Sequence, residues 1–253
     1  MAKLKRELEQ VVRTRGLHRE RRRRAPWPII ALVGYTNAGK STLFNRLTGS
    51  NVMAENLLFA TLDPTMREVS LPGVAKAILS DTVGFVSDLP TQLVAAFRAT
   101  LEEVISADLI VHVRDLSHPD SDAQAEDVAA VLSDLGVSGE GGIPLLEAWN
   151  KIDGVDADTR VAIEGEAARR DDVVVMSALT GEGVAALTAL VGAKLTEGQR
   201  LHHFEIPNED GAAKAWLHAH GSVENERSTD DGATEISVRL SEDDLARFQS
   251  RSR

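Results

Sequence analysis

Between residues 29 and 33 the chain reads IIALV, five apolar positions with no polar residue among them. A run this short and rich in β-branched side chains predicts a strand buried on both faces, as in parallel sheets. From Lys40 to Leu47 the period changes, and Leu43, Phe44 and Leu47 fall on one side of a predicted helix. The alternation continues. Strands are predicted for KAILSD ending at Asp81, ADLIVHVRD at 107–115, IPLLEAWNK at 143–151 and DVVVMSA at 172–178, with helices near 89–106, 120–135, 156–169 and 182–194. Such alternation implies right-handed βαβ crossovers, giving an α/β fold with a mainly parallel sheet between two helical layers. Ligands of such sheets bind beyond the carboxyl ends of the strands.

The pattern shifts at both ends. Past about residue 197, HHFEIP, a helical stretch near 209–220, GSVENERST and ATEISVRLS predict a small α+β domain, and the alternating Ile236, Val238 and Leu240 predict a strand with one buried face. Residues 2–24 predict a helix with a narrow stripe of Leu4, Leu8, Val11 and Val12, ended by Pro26 and Pro28. Three parts follow: a helical arm at 1–28, a central domain at 29–196 and a C-terminal domain at 197–253.

Charge separates these parts further. The net charge of the 253 residues is −11, yet the arm carries ten Lys and Arg against three Glu, about +7, so the remainder is about −18. A basic arm on an acidic globule suits contact with nucleic acid or a ribonucleoprotein; a solvated charged helix is the plain alternative. The absence of cysteine excludes disulfides and thiolate metal sites. No apolar run reaches the ~18 residues of a membrane span, and the basic start lacks a signal peptide's apolar core. A cytoplasmic protein is expected.

Four motifs fall at the ends of predicted strands. Gly34, Tyr35, Thr36, Asn37, Ala38, Gly39, Lys40 and Ser41, followed by Thr42, have the spacing G-x-x-x-x-G-K-[ST] between strand and helix. Backbone N–H groups there can cradle phosphates, Lys40 can reach the β and γ phosphates, and the Ser41 hydroxyl can bind Mg²⁺. Asp81, Thr82, Val83 and Gly84 form D-x-x-G, with a carboxylate for Mg²⁺ and a glycine amide for a γ-phosphate. Asn150, Lys151 and Asp153 form N-K-x-D: Asp153 can accept from guanine N1 and N2, an edge adenine lacks, Asn150 can bond the base, and the Lys151 stem can lie along the ring. Ser177, Ala178 and Leu179 can offer an amide to guanine O6.

With these motifs the chain resembles the translation-factor-like P-loop GTPases, and among them the HflX family. The resemblance rests on GYTNAGKSTLFNRLTG, NLLFATLDPTMRE, DTVGFVSDLPTQLVAAFRATLEEVISADLIVHVRD, NKID and the arm LKRELEQVVRTRGLHRERRRR, and it runs from about residue 3 to 195. It implies the P-loop NTPase fold, GTP and GDP as ligands, Mg²⁺, a partner-stimulated GTPase activity and binding to the 50S subunit and its 23S rRNA in ribosome splitting or rescue. A monomer is expected, cytoplasmic with a membrane-peripheral fraction. Phe59, Ala60, Thr61, Leu62 and Asp63 match the family's first switch, making Thr61 the expected Mg²⁺ and γ-phosphate threonine, with Thr65 in reserve. Lys40, Thr61 and Gly84 are the expected catalytic groups.

Phe85 stands where many GTPases place a water-orienting glutamine, and a phenyl ring cannot do that task. Slow intrinsic turnover is expected. In several GTPases with such a substitution, an asparagine at the position of Asn37 helps hold K⁺ against the phosphates; a turn-stabilising asparagine is the alternative. The family carries an N-terminal domain before its arm, and this chain begins within the arm, so GTP binding is expected without that domain while the need of ribosome splitting for it stays open. An Obg-like large-subunit assembly factor, and a nucleotide-gated binding module with incidental hydrolysis, stay open. An ATP-using kinase is disfavoured by Asp153. His202 and His203 are adjacent, point to opposite faces of a strand and make a poor metal pair; they, His218 and His220 are expected to be structural, Trp149 to be packing, and Arg98 to sit in a helix-surface ion pair.

Overall fold

The computed structural model describes residues 27–50, 65–82, 84–85, 104–137, 142–229 and 232–251. The chain divides into two compact units, one of Pro28–Leu195 and one that includes Thr196–Arg253. In the first, the apolar runs become strands and the mixed segments helices: β1 (Ile29–Val33), α1 (Lys40–Thr48), β2 (Thr65–Leu71), β3 (Val74–Asp81), β4 (Leu109–Asp115), α2 (Ser121–Asp134), β5 (Leu145–Asn150), α3 (Ala157–Ala167), β6 (Val173–Val175) and α4 (Val184–Leu195). The predicted helices over 2–24 and, apart from its last residues, 89–106 lie outside the described residues, as does Arg98.

The strands form one sheet in the order β2-β3-β1-β4-β5-β6. Every pair is parallel except β2 with β3. Period-two alternation divides the core: Ile30 and Leu32 pack with Leu43 and Phe44 of α1 and Leu187 and Val191 of α4, whereas Ala31 and Val33 pack with Val128 and Leu132 of α2. Helices therefore cover both faces, the three-layer P-loop arrangement. Register brings the carboxyl ends together, with Leu32 beside Asp81, Val33 beside His112 and Asp115 beside Asn150.

Two elements lack a clear sequence signal. β2, TMREVSL, buries only Val69 and Leu71, because an edge strand needs one apolar face and little more. Its first residue is Thr65, paired across the ladder with Asp81. The threonine held in reserve for Mg²⁺ thus begins a strand, and Gly73, at φ 77°, turns the chain back into β3.

The second unit has β7 (Arg200–Pro207), α5 (Gly211–His220), β8 (Ser222–Ser228), β9 (Ala233–Leu240) and α6 (Glu242–Arg251). Its antiparallel sheet runs β7-β9-β8. Ile236, Val238 and Leu240 face a small core with Ile206, Trp216, Leu217 and Phe248. Helix α6 is the second unsignalled element: in EDDLARFQSR only Leu245 and Phe248 join that core. No helix among the described residues is long and apolar enough to cross a membrane.

Candidate nucleotide-binding site

Where β1 ends, the chain must turn into α1 within six residues, and the backbone does so in conformations that favour glycine. Gly34 has φ 143° and Gly39 φ 97°, and Asn37 is left-handed at φ 63°. A Cβ on Gly34 would lie 2.2 Å from the Val113 carbonyl oxygen, and one on Gly39 2.2 Å from Asn150 Nδ2. The loop is thus packed against the backbone of one neighbouring strand and a side-chain amide of the next, with its amides left to form a cradle of the kind that phosphates enter. Lys40 folds back over the loop, its Nζ donating to the carbonyls of Gly34 at 2.9 Å and Tyr35 at 2.7 Å. Burial lowers its pKa to about 8, against the opposing pull of Asp81.

The second motif meets the first directly. Ser41 Oγ donates to Asp81 Oδ2 at 2.7 Å, joining residues 40 positions apart. A hydroxyl beside a buried carboxylate is a hard-oxygen donor set that fits Mg²⁺. Thr82 is tied back to β1 by a 2.6 Å bond from its Oγ1 to the Leu32 carbonyl. Gly84 passes so close to the glycine loop that a Cβ there would lie 2.8 Å from Thr36 Cα. Its neighbour Phe85 is only 4% exposed and packs in the apolar cluster of Val33, Tyr35 and Val104. Two backbone bonds hold it there, Phe85 N–H to the Gly34 carbonyl at 3.0 Å and Thr36 N–H to the Phe85 carbonyl at 2.8 Å. Thr61, with Phe59, Ala60, Leu62 and Asp63, and Val83 lie outside the described residues.

At the base end, where the sequence predicts Asn150 to bond a base, its amide also bridges two loops. Nδ2 donates to the Ala38 carbonyl at 2.7 Å, and Oδ1 accepts from the Ala178 N–H at 2.8 Å. The phosphate loop, β5 and the Ser177–Leu179 motif are joined by one buried side chain. The Ser177 N–H is also engaged, donating to the Glu182 carbonyl at 2.9 Å. Lys151 is left-handed at φ 64° and extends its Nζ to Asp115 Oδ2 at 2.7 Å. Asp153 is exposed in the 3₁₀ turn Ile152–Gly154 that follows, which Ile152 anchors in the core.

These four motifs converge at one edge of a P-loop sheet, and the comparisons with known proteins give the arrangement its family. Residues 29–151 match the family model described as 50S ribosome-binding GTPase, and residues 162–252 match that of the HflX C-terminal domain. The chain belongs to the HflX family of GTPases. It is 48% identical to the GTPase HflX of Magnetococcus marinus over 98% of this chain and 56% of that protein, and 38% identical to that of Escherichia coli over 92% of this chain and 54% of that one. The chain thus spans about half the length of these HflX relatives. Among solved structures, a GTP-binding protein from Sulfolobus solfataricus in complex with GDP is 30% identical with TM-score 0.54, covering 67% of this chain and 53% of that one.

Within the HflX-type site, two contributors, Asp115 and Arg46, had no strong sequence signal. Asp115 anchors Lys151 and also accepts from Ser117 N–H at 3.0 Å and Ser117 Oγ at 2.6 Å. Burial raises its pKa, but the Lys151 and Ser117 hydrogen bonds outweigh this and hold it below the usual carboxylate range. Its signal was its place ending an apolar strand, as Asp81 does. Tyr35 belongs to the loop motif, yet its hydroxyl turns away to Asp127 Oδ2 on α2 at 2.7 Å, so its contribution to the cradle is main-chain. Arg46, in the last turn of α1, lies outside all four nucleotide motifs of the sequence.

Trp149, expected to pack, is buried with its Nε1 donating to Glu147 Oε2 at 2.7 Å and with Arg114 and Arg170 over its ring at 5.3 and 5.9 Å. Burial pushes the Glu147 pKa up, but bonds from Trp149, Arg114 and Arg170 overcome it and hold the carboxyl down at about 2. The histidines of the second unit pair locally: His203 Nδ1 with Ser237 Oγ, His218 Nε2 with Glu226 Oε2, and His220 stacked on Trp216 at 4.1 Å.

Proposed function

We propose that this chain binds GTP with Mg²⁺, hydrolyses it to GDP and phosphate, and couples its nucleotide state to the 50S subunit in ribosome splitting or rescue. The observation that carries the first part is the 2.7 Å contact of Ser41 with Asp81 beside the Lys40 cradle. The HflX membership and the matched family description support the second.

In this reading the loop amides from Tyr35 to Thr42 and the Lys40 ammonium hold the phosphates, and Asp153 selects guanine. Ser41, Asp81 and Thr61 hold Mg²⁺, which supplies charge neutralisation at the β and γ phosphates. The Gly84 amide receives the γ-phosphate. Phe85, held inside the apolar cluster, orients no water, so intrinsic turnover is slow and a partner or a monovalent cation supplies what glutamine gives elsewhere. Asn37, left-handed at the turn of the loop, is the candidate K⁺ ligand.

Single-turnover GTP hydrolysis in KCl and in NaCl at equal ionic strength, each with and without purified 50S subunits, tests this. Faster hydrolysis in KCl supports Asn37 as a K⁺ ligand, and equal rates in the two salts remove it. Strong stimulation by 50S is expected. Tight GTP binding with slow hydrolysis under every condition would instead favour a nucleotide-gated binding module, the reading that the burial of Phe85 permits.

A further inference from the structure

The loop that presents Ser177, Ala178 and Leu179 is gripped by a residue from the phosphate helix. Arg46, in the last turn of α1, donates from Nε to the Ala178 carbonyl at 2.6 Å and from Nη2 to the Leu179 carbonyl at 2.5 Å. A cation at a helix C-terminus usually serves its own helix's carbonyls. Here both bonds go to a loop more than 130 residues away in sequence. The loop is shaped to accept it: Gly181 has φ +96°, and a Cβ there would lie 2.7 Å from Arg46 Nη1.

Peptide geometry makes this grip directional. In a planar trans peptide the C=O and N–H point opposite ways. Fixing the Ala178 carbonyl on Arg46 therefore fixes the Leu179 N–H away from the guanidinium. The neighbouring amides are committed, Ser177 N–H to Glu182 O, Ala178 N–H to Asn150 Oδ1 and Thr180 N–H to Ser177 Oγ. The Leu179 N–H has no acceptor among the described residues.

We propose that Arg46 is a positioning residue for guanine recognition: by gripping two carbonyls it aims the Leu179 N–H at the 6-oxygen of the base. It also ties the base loop to the helix whose first turn carries Lys40 and Ser41. The proposal rests on the guanine-nucleotide reading above. From the other side Arg160 of α3 pairs with Glu182, but it holds a side chain at the far end of the loop and no peptide unit of the motif.

The test is the equilibrium affinity of the full chain and its Arg46→Gln, Arg46→Lys and Arg160→Ala variants for GDP, inosine diphosphate and 2-aminopurine riboside diphosphate, with thermal melts alongside. The first two bases carry the 6-oxygen and the third lacks it. Arg46→Gln is expected to weaken GDP and inosine diphosphate about tenfold, the worth of one well-made hydrogen bond to a buried edge, and to leave the third ligand unchanged. Arg46→Lys, able to reach one carbonyl, falls between. Equal weakening of all three ligands, or no weakening, would make Arg46 a plain structural clamp and overturn the proposal. The same selective loss in Arg160→Ala would also overturn it, by assigning the effect to loop order in general. A wild-type chain that does not favour GDP over the 2-aminopurine ligand would overturn the guanine reading itself, and the proposal with it.

Discussion

The phosphate end and the base end of the site are built by different means. At the phosphate end one run of residues supplies the frame and backbone makes most of the contacts: Gly34 and Gly39 in glycine-favoured conformations, Lys40 folded onto the carbonyls of its own loop, and Phe85 joined to Gly34 and Thr36 by main-chain bonds, with the Ser41–Asp81 bond the side-chain contact from across the fold. At the base end, side chains reach across the fold: Asn150 to Ala38 and Ala178, Lys151 to Asp115, Arg46 to Ala178 and Leu179. A backbone cradle tolerates any side chain that fits and fails when a Cβ intrudes. A side-chain lattice fails one hydrogen bond at a time.

The largest effect should come from Gly39→Ala, which sets a Cβ against the Asn150 amide at a backbone φ of 97°. Strain of that kind plus the displaced bridge should weaken GDP binding by roughly a hundredfold or more, measured by equilibrium titration. Binding within threefold of wild type would break the claim that the cradle is a backbone device.

Asn150→Ala should be next. Removing the amide leaves the buried Ala38 carbonyl and Ala178 N–H without their partner, so the first unit should lose about 3 kcal/mol, read by denaturant unfolding. Nucleotide affinity should fall in the same variant, because the phosphate loop and the base loop lose their shared brace. A loss of stability with unchanged affinity would show the two ends to be independent.

The smallest effect is a proton. Burial holds the Lys40 pKa at about 8, whereas a phosphate at the same place favours the ammonium. Nucleotide binding should therefore take up a proton between pH 8 and 9, and affinity should fall as pH rises through that window. Calorimetry in buffers of different ionisation enthalpy measures the uptake, and Lys40→Met should abolish it. The sign follows from the depressed pKa: the free site holds less than a full proton there, and the occupied site holds one.

Sequence alone determined the glycine loop and the layering of the first unit, because both are local. G-x-x-x-x-G-K-S is a run of eight residues whose turn chemistry is carried by its own glycines, and unbroken apolar runs such as IIALV form buried strands in few other ways. Edge strand β2 and helix α6 were not legible in the sequence, because each sets only two side chains against a core and so leaves a weak periodic trace. Only the tertiary structure decided that Thr65 begins a strand opposite Asp81, that Asn150 braces two loops, and that Asp115 and Arg46 belong to the base end. Those assignments join residues from 16 to 133 positions apart, and a hydrogen bond between distant residues leaves no period and no local motif in the chain. It exists once the sheet order has brought the carboxyl ends of β1, β3, β4 and β5 side by side.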